Sequence, residues 1–177
     1  NLDRQFLYRY ADIGRNKADA ACATLSAFRP DVAVTAVCEN LTEQNADALL
    51  AGKTAAVSAV DTLEARRVLN AACVRRGVPL VNGGVSGRYG TVQTVYPHET
   101  ACLECLYEAR TAAVAPSPPA VVSAVSSLMA NALASVLSGV GRAIAGELVL
   151  FDGDELTLSR LPVKRNGACR VCGTERV

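Results

Sequence analysis

Four of the seven cysteines stand in two C-x-x-C pairs, Cys102 and Cys105 in "CLEC" and Cys169 and Cys172 in "CRVC". Two residues between thiols let a tight turn aim both sulfurs at one ion, and four thiolates are the usual ligands of a structural zinc ion. The spacing therefore predicts a Zn(Cys)4 site that ties the end of the chain to its middle. Redox-active pairs and disulfides are the competing interpretations. A redox pair belongs at the start of a helix, which "ACLEC" permits and the terminal "ACRVCG" does not.

Polar residues suited to phosphate chemistry lie near the start of the sequence. Asn1, Arg4 and Gln5 occur together in "NLDRQ", and Lys17 opens a predicted helix. An arginine fork binds polyphosphate oxygens through two parallel hydrogen bonds. A cation at a helix start opposes the helix dipole unless an anion lies nearby. The pattern indicates a phosphate partner, while an exposed polar arm and a solvated lysine fit the same residues.

Asp61 follows the apolar stretch "TAAVSAV", which is predicted to be a strand. Open α/β sheets bind ligands at the carboxyl ends of their strands. A carboxylate there is suited to hold Mg²⁺ against ATP phosphates. Asp61 is also a good N-cap for the helix that follows, and the two roles are compatible.

The remaining candidates favour ordinary structural roles. Cys22, Cys38 and Cys73 each stand alone in apolar surroundings and are predicted to be small buried hydrophobic residues. His98 is the single histidine and has no evident Ser or Cys partner, so we expect a surface residue and no Ser–His or Cys–His catalysis. The glycines of "GGVSGRYG" (83–90) fit neither phosphate-loop pattern and are predicted to lie at turns and bulges between two strands.

Hydrophobic periodicity and capping residues predict an alternation of helices and strands. The helices are predicted at 14–28, 42–52, 62–77 and from Val121 onward, and the strands at 32–39, 54–60, 78–84, 89–97 and twice within 147–163. This order predicts an α/β fold, a Rossmann-like mixed sheet flanked by helices whose last strands are antiparallel. No repeat or linker divides the chain, so residues 1–177 are predicted to form a single domain.

Composition limits the classes of partner. The chain has 177 residues, is 50% hydrophobic and carries a net charge of +1 with scattered basic residues, so we expect no nucleic-acid partner. The stretch 120–141 approaches the length of a membrane span, but its serines and Asn131 argue against spanning, because their polar groups would lie in hydrocarbon. The opening residues do not resemble a signal peptide, and we expect a cytoplasmic protein.

Taken in order, these motifs resemble the ThiF/MoeB/HesA family of the ubiquitin-activating superfamily of adenylating enzymes. The resemblance rests on "NLDRQF", "DIGRNKADAA", "VDTLEARRVLN", "VPLVNGGVSGRYGTVQTVYP", "CLEC", "ELVLFDGDELTL" and "CRVCG" and runs over essentially the whole sequence. It implies that ATP and Mg²⁺ are bound by the residues matching the family's nucleotide contacts, with Arg4 and Asp61 also catalytic. These residues are Asn1, Arg4, Gln5, Lys17 and Asp61. It also implies structural zinc on Cys102, Cys105, Cys169 and Cys172.

The reaction implied by the resemblance is adenylation of the C-terminal glycine carboxylate of a small ubiquitin-like or sulfur-carrier protein, with release of pyrophosphate. A homodimer is also implied. The glycine-rich nucleotide loop with which the family begins is missing from the chain, so we expect the isolated polypeptide to bind ATP weakly or not at all. The alternative is a non-catalytic, zinc-stabilised platform for binding or dimerisation. A dehydrogenase-like domain is disfavoured because no G-x-G-x-x-G follows a first strand.

Relatives of this kind often carry a cysteine in the loop before the long helix, where it forms a persulfide or thioester. The matching stretch here, 107–122, contains no cysteine. We therefore expect the reaction to stop at the adenylate or to pass directly to an acceptor. After Asp61 the chain has Thr62 and Leu63 where relatives often have Asn and Phe, although Arg66 is kept.

Overall fold

A computed structural model describes residues 1–106, 115–142 and 144–174. Contacts between Cα atoms divide the chain into two compact units, Asn1–Asn40 and Leu41–Val177. The single domain predicted from the sequence stays a prediction.

The first unit consists of turns and one helix. A 3-10 helix spans Tyr10–Asp12, and helix α1 spans Lys17–Phe28, close to the predicted 14–28. The Asn16 side chain caps α1 by accepting a hydrogen bond from the Ala18 N–H at 2.9 Å, as expected of a helix N-cap.

The strand predicted at 32–39 is wrong: these residues have no strand pairing in the structure. Their β-branched composition favours an extended chain, but a strand also needs a hydrogen-bonded neighbour. The described part of the first unit contains no strand to pair with it.

The described residues of the second unit form three α-helices, one 3-10 helix and five strands. Helix α2 spans Ala46–Leu50, α3 spans Leu63–Arg76 and α4 spans Pro119–Ser138; a 3-10 helix covers Leu103–Cys105. The strands are β1 (Ala56–Ser58), β2 (Leu80–Ser86), β3 (Tyr89–Val95), β4 (Glu147–Asp152) and β5 (Thr157–Pro162). Apart from the segment 32–39, every predicted element that falls within the described residues is present.

The sheet is mixed, as the sequence predicts. Its strand order is β1-β2-β3-β4-β5, with β1 parallel to β2 and every later pair antiparallel. The "DGDE" turn joins β4 to β5, and residues 87–88 join β2 to β3. The glycines of 83–90 therefore belong to a hairpin and not to a phosphate loop.

Each face of the sheet is covered by helices, which produces two apolar cores. Leu80 and Val95 point to one face and pack with α2, α3 and the residues Cys102 and Leu103. Val81 and Val92, on the other face, pack with α4. The alternation of successive side chains along β2 and β3 explains why both cores draw on the same two strands.

By length and composition alone, helix α4 is long and apolar enough to cross a membrane. Of its most apolar stretch of 18 residues, 17% is buried in the structure. One helix of this kind is weak evidence for a span. In the structure α4 packs against β2 and β3 through Val125, Met129 and Ala132. The loop predicted at 113–121 is helical from Pro119, and its first two residues lie outside the described residues.

Candidate functional site

The structure brings the two C-x-x-C pairs into one cluster. The four sulfur atoms lie within 4.8 Å of one another; Cys102 Sγ is 3.8 Å from Cys169 Sγ, and Cys105 Sγ is 3.4 Å from Cys172 Sγ. A tetrahedral ion with metal–sulfur bonds of about 2.3 Å would hold its sulfurs about 3.8 Å apart. All four thiols are free, and the distances far exceed a disulfide bond of about 2.05 Å. The cluster is therefore suited to one tetrahedrally coordinated metal ion.

Two tight turns present these sulfurs. The first knuckle turns through the 3-10 helix Leu103–Cys105, where the Cys105 N–H donates to the Cys102 carbonyl at 3.1 Å. In the second knuckle the Gly173 N–H donates to the Cys169 carbonyl at 2.8 Å. A Cβ on Gly173 would lie 2.4 Å from that carbonyl oxygen, so the turn requires glycine. Both turns depend on local sequence, which is why the C-x-x-C spacing was informative.

An ion-pair network joins the two knuckles to α3. Glu104, inside the first knuckle, contacts Arg170 of the second at 2.5 Å and Arg67 of α3 at 3.2 Å. The Glu104 side chain is only 10% exposed, whereas that of Arg170 is 69% exposed. The network ties three separate parts of the chain together around the sulfur cluster.

Arg165 holds the chain that leads into the second knuckle. Its guanidinium donates to the Cys172 carbonyl at 2.8 Å and to the His98 carbonyl at 2.5 Å. His98 itself is exposed, as predicted, and has a φ of 65°. The guanidinium therefore links the tail to the turn just before the first knuckle by hydrogen bonds that need no metal.

The surroundings shift the pKa values of Cys102, Cys105 and Cys169 in different directions. Burial raises the pKa of Cys102, against hydrogen bonds from the Asn70 side chain and the Cys105 backbone, and burial also raises the pKa of Cys105. At Cys169 burial acts in the same direction, but backbone hydrogen bonds from Cys172 and Val171 leave its pKa lowered. Because a metal binds thiolates, metal uptake must release protons from Cys102 and Cys105 at neutral pH.

A cavity of about 260 Å³ in the first unit gathers most of the residues predicted to contact nucleotide. Its lining includes Asn1, Gln5 and Lys17. It also includes Arg9 and Arg15, which the sequence interpretation missed. The cavity thus combines amide groups with three cations.

Two local contacts shape the charge of this cavity. Asp12, the single acidic residue in its lining, accepts a hydrogen bond from Arg15 at 2.6 Å. A backbone hydrogen bond from Arg9, followed by the Arg15 contact, holds the pKa of Asp12 below its usual value despite partial desolvation. Lys17 Nζ lies 6.0 Å from the centre of the Tyr8 ring, the outer limit of a cation–π contact. The lining keeps a net positive charge, which suits an anion.

Arg4 does not join this lining. Its guanidinium contacts both Asp3 carboxylate oxygens, at 3.0 and 3.1 Å, and the Asn1 side-chain oxygen at 2.5 Å. The fork predicted to bind phosphate is therefore engaged by neighbouring residues. Binding a phosphate would require Arg4 to exchange the Asp3 carboxylate for it.

Asp61 lies in the second unit, exposed, just beyond the carboxyl end of β1 as predicted. It does not cap α3, because the Thr62 hydroxyl accepts the hydrogen bond from the Ala65 N–H at 3.3 Å. The capping role proposed for Asp61 is thus wrong. In the first turn of α3, the Arg66 guanidinium donates to the Asn82 side-chain oxygen at 3.1 Å and to the Gly83 carbonyl at 2.5 Å.

The three single cysteines differ from one another. Cys73 is fully buried, as predicted, and Cys22 is partly buried and contacts the Val34 carbonyl at 3.4 Å. Cys38 is exposed, so its predicted burial is wrong. It lies in the segment 32–39, which was expected to be a strand and is not part of the sheet, and this explains the error.

Comparison with known proteins gives concordant matches. The family model described as "ThiF family" matches residues 1–171. A sulfur carrier protein adenylyltransferase of Thermus thermophilus is 36% identical, covering 99% of this chain and 69% of that protein. The sulfur carrier protein ThiS adenylyltransferase of Escherichia coli is 32% identical, covering 98% of this chain and 71% of that protein.

The same fold occurs in solved structures of E. coli MccB. The MccB structure with ATP superposes with a TM-score of 0.82 at 20% identity, covering 98% of this chain and 55% of that one. The MccB structure with MccA-N7isoASN gives the same TM-score and covers 56% of that chain. This chain therefore spans little more than half the length of MccB and about two thirds to 70% of the curated relatives.

Proposed function

The chain belongs to the ThiF family, and from this we propose that it takes part in ATP-dependent adenylation of the C-terminal carboxylate of a small sulfur-carrier or ubiquitin-like protein. A carboxylate oxygen of the carrier attacks the α-phosphorus of ATP. The bond from that phosphorus to the β-phosphate oxygen breaks, and pyrophosphate leaves with the electron pair. The product is a mixed anhydride of the carrier and AMP.

The positively charged cavity of the first unit carries this proposal. Lys17, Arg9 and Arg15 surround a space of about 260 Å³ that Asn1 and Gln5 line with amide groups. Cations and amide donors are the groups that stabilise charge developing on transferred phosphates. The proposal therefore assigns Asn1, Gln5 and Lys17 to binding ATP. Arg4 would join them by leaving Asp3.

Asp61 is assigned to Mg²⁺. Its carboxylate is exposed beyond β1, where an oxygen ligand is accessible to a hydrated ion. Mg²⁺ supplies positive charge that offsets the charge of the phosphates during transfer. Asp61 is assigned as catalytic because it would hold Mg²⁺, and Arg4 because it would bind the phosphates on which charge develops.

We assign zinc to the sulfur cluster, with a structural role. Cys102, Cys105, Cys169 and Cys172 supply four sulfur ligands, which saturate a tetrahedral ion and leave no position for substrate. The ion would join the middle of the chain to its end, adding to the contacts that Arg165 and Glu104 make.

The carrier is proposed to dock on the antiparallel end of the sheet. Strand β5 is exposed along its whole length. Leu158 is 55% and Leu161 46% exposed. Exposed apolar side chains close together on a surface are typical of protein-binding sites. With no cysteine in 107–122, the adenylate would pass directly to the final acceptor.

A homodimer and a cytoplasmic location complete the proposal. The outward side of α4 carries small residues and Leu137, which is 55% exposed, and this side is available for a second copy. The proposal includes no nucleic-acid and no membrane partner.

The second candidate function is a zinc-stabilised binding or dimerisation platform without catalysis. The observation that favours it is the pairing of Arg4 with Asp3, which withholds the predicted phosphate fork. In that case the metal cluster and the exposed β5 face would be retained for binding alone.

ATP–pyrophosphate exchange separates the two candidates. The natural polypeptide that contains this chain, mixed with a sulfur-carrier protein ending in glycine, should exchange labelled pyrophosphate into ATP. Lys53→Ala removes an exposed lysine of the second unit and serves as the matched control for Lys17→Ala. Exchange that is absent with every carrier, or that Lys17→Ala leaves unchanged, would favour the platform.

A further inference from the structure

Arg66, in the first turn of α3, lies across strand β2. One guanidinium nitrogen, Nη1, donates to both the Asn82 side-chain oxygen at 3.1 Å and the Gly83 carbonyl at 2.5 Å. A Cβ on Gly84 would lie 3.3 Å from the same nitrogen, so the absence of a side chain there lets the guanidinium lie close to the strand. These contacts fix the position of a half-buried cation on the sheet.

The Arg66 guanidinium has two further nitrogens available for a ligand. Within the part of the chain that the structure describes, Nη2 and Nε make no hydrogen bond, and no carboxylate pairs with this arginine. The adjacent Arg67, by contrast, pairs with Glu104 at 3.2 Å. A half-buried cation without a counter-charge is costly, and two neighbouring guanidinium nitrogens match the two oxygens of a carboxylate. The arrangement indicates a carboxylate ligand.

Strand pairing places this cation on the same face of the sheet as an apolar surface. Directly paired residues of neighbouring strands point to the same face. The register links Asn82 through β3 to Leu148 of β4 and Leu161 of β5, and it links Gly84 in the same way to Leu150. Leu148 and Leu150 are half-buried and Leu161 is 46% exposed. The cation and the antiparallel end proposed to receive the carrier therefore share one face.

The distance between them suits a short peptide tail. Strands β2 and β5 are three strand spacings apart, about 14 Å, and an extended chain covers this in about four to five residues. Gly84 and Thr91, which pair on the way, are partly exposed and carry no side chain or a short one. A carrier seated on β5 thus reaches Arg66 with an extended C-terminal tail.

Arg66 also lies at the start of the helix that follows β1. Asp61 precedes the N-cap Thr62, and Arg66 is the fourth residue of α3. Side chains at these two positions often meet at a helix start. A carboxylate held by Arg66 is therefore at the end of β1 where Asp61, the residue assigned to Mg²⁺, is exposed.

We propose that Arg66 binds the C-terminal carboxylate of the carrier, with Nη2 and Nε each donating to one carboxylate oxygen. This inference rests on the proposed adenylation and assigns the group that holds the reacting end of the substrate. One oxygen attacks the α-phosphorus of ATP, and pyrophosphate leaves with the electron pair of the broken bond. The other becomes the carbonyl oxygen of the mixed anhydride and keeps its hydrogen bond to Arg66.

Two substitutions separate carboxylate binding from folding. Arg66→Ala removes the whole guanidinium. Arg66→Lys keeps the charge and a donor for the Gly83 carbonyl but lacks the fork that binds two oxygens. Arg76→Ala is the matched control, because it removes an exposed arginine from the last turn of the same helix.

The experiment measures ATP–pyrophosphate exchange by the natural polypeptide that contains this chain, with a sulfur-carrier protein ending in glycine at varied concentration. Calorimetry measures the affinity of the same carrier and of a form whose C-terminal carboxylate is replaced by an amide. We expect both Arg66 variants to raise the KM for the carrier and weaken its binding at least about tenfold, as for loss of a hydrogen bond to a charged group. The KM for ATP and the affinity for the amide carrier should not change, and Arg76→Ala should match the wild type.

A wild-type KM for the carrier in Arg66→Lys and Arg66→Ala would overturn the inference while leaving the proposed adenylation intact. Equal losses of affinity for the carboxylate and amide carriers would also overturn it, because Arg66 would then only support the sheet. If Arg66→Ala does not fold, the result for Arg66→Lys decides. Absence of exchange by the wild type with every carrier would instead refute the adenylation, and this inference with it.

Discussion

Replacing Glu104 by alanine should destabilise the zinc-loaded protein by about 2 kcal/mol. Its contact with Arg170 contributes little, because that guanidinium is 69% exposed, and exposed pairs are worth about 0–1 kcal/mol. The contact with Arg67 matters more. Arg67 is 33% exposed, and its Nε is buried and lies 3.2 Å from Glu104 without the alignment of a hydrogen bond. Removing the carboxylate leaves a half-buried cation without its counter-charge.

The assay is urea denaturation at saturating zinc, followed by far-UV circular dichroism. Arg170→Ala should cost at most about 1 kcal/mol. Glu99→Ala, which breaks the exposed pair with Arg142 at 2.6 Å, is the control and should cost about as little. If Arg170→Ala proved as destabilising as Glu104→Ala, the exposed pair would dominate and the reasoning from burial would fail. A loss below about 0.5 kcal/mol for Glu104→Ala would contradict it equally.

Three further predictions concern other parts of the chain. Gly90→Ala should destabilise the protein by about 1–3 kcal/mol in the same urea assay, because its Cβ would lie 2.2 Å from the buried Val125 side chain; wild-type stability would show that α4 moves freely from the sheet. Lys17→Ala should lower the rate of pyrophosphate exchange at least about tenfold, as expected for loss of a phosphate contact, and an unchanged rate would remove Lys17 from the site. In native zinc-loaded protein, the exposed Cys38 should react with a thiol reagent and the buried Cys73 should not, since burial raises the pKa of Cys73 to about 12. The hydrogen bond with Asp19 raises the pKa of Cys38, so the rate of its reaction should increase with pH above neutrality. A pH-independent rate would contradict this.

Local signals predicted the parts of the fold that depend on neighbouring residues. The helix predicted at 62–77 is present as α3, and Gly77 has the left-handed φ of 69° that a helix end favours, although the N-cap is Thr62 and not the predicted Asp61. The "DGDE" turn between two alternating segments was sufficient to predict the β4–β5 hairpin. The C-x-x-C spacing predicted the sulfur cluster because each pair forms its own turn.

Features that depend on distant partners could not be predicted in the same way. The segment 32–39 has the composition of a strand, but the described residues of its unit include no strand that could pair with it, and Cys38 is exposed there. Arg165 donates hydrogen bonds to two backbone carbonyls. Every residue has such a carbonyl, so the residue types do not indicate which ones Arg165 contacts. The hydrogen bond from the Leu103 N–H to the buried Asn70 side chain could not be predicted either, because it joins α3 to a turn distant in the sequence.

The most direct test of this account is zinc K-edge absorption spectroscopy of the purified protein, together with its metal content. The account predicts one zinc ion per chain, surrounded by four sulfur atoms at about 2.3 Å. Protein purified without chelators that contains no zinc, or a first shell with nitrogen or oxygen in place of sulfur, would contradict it.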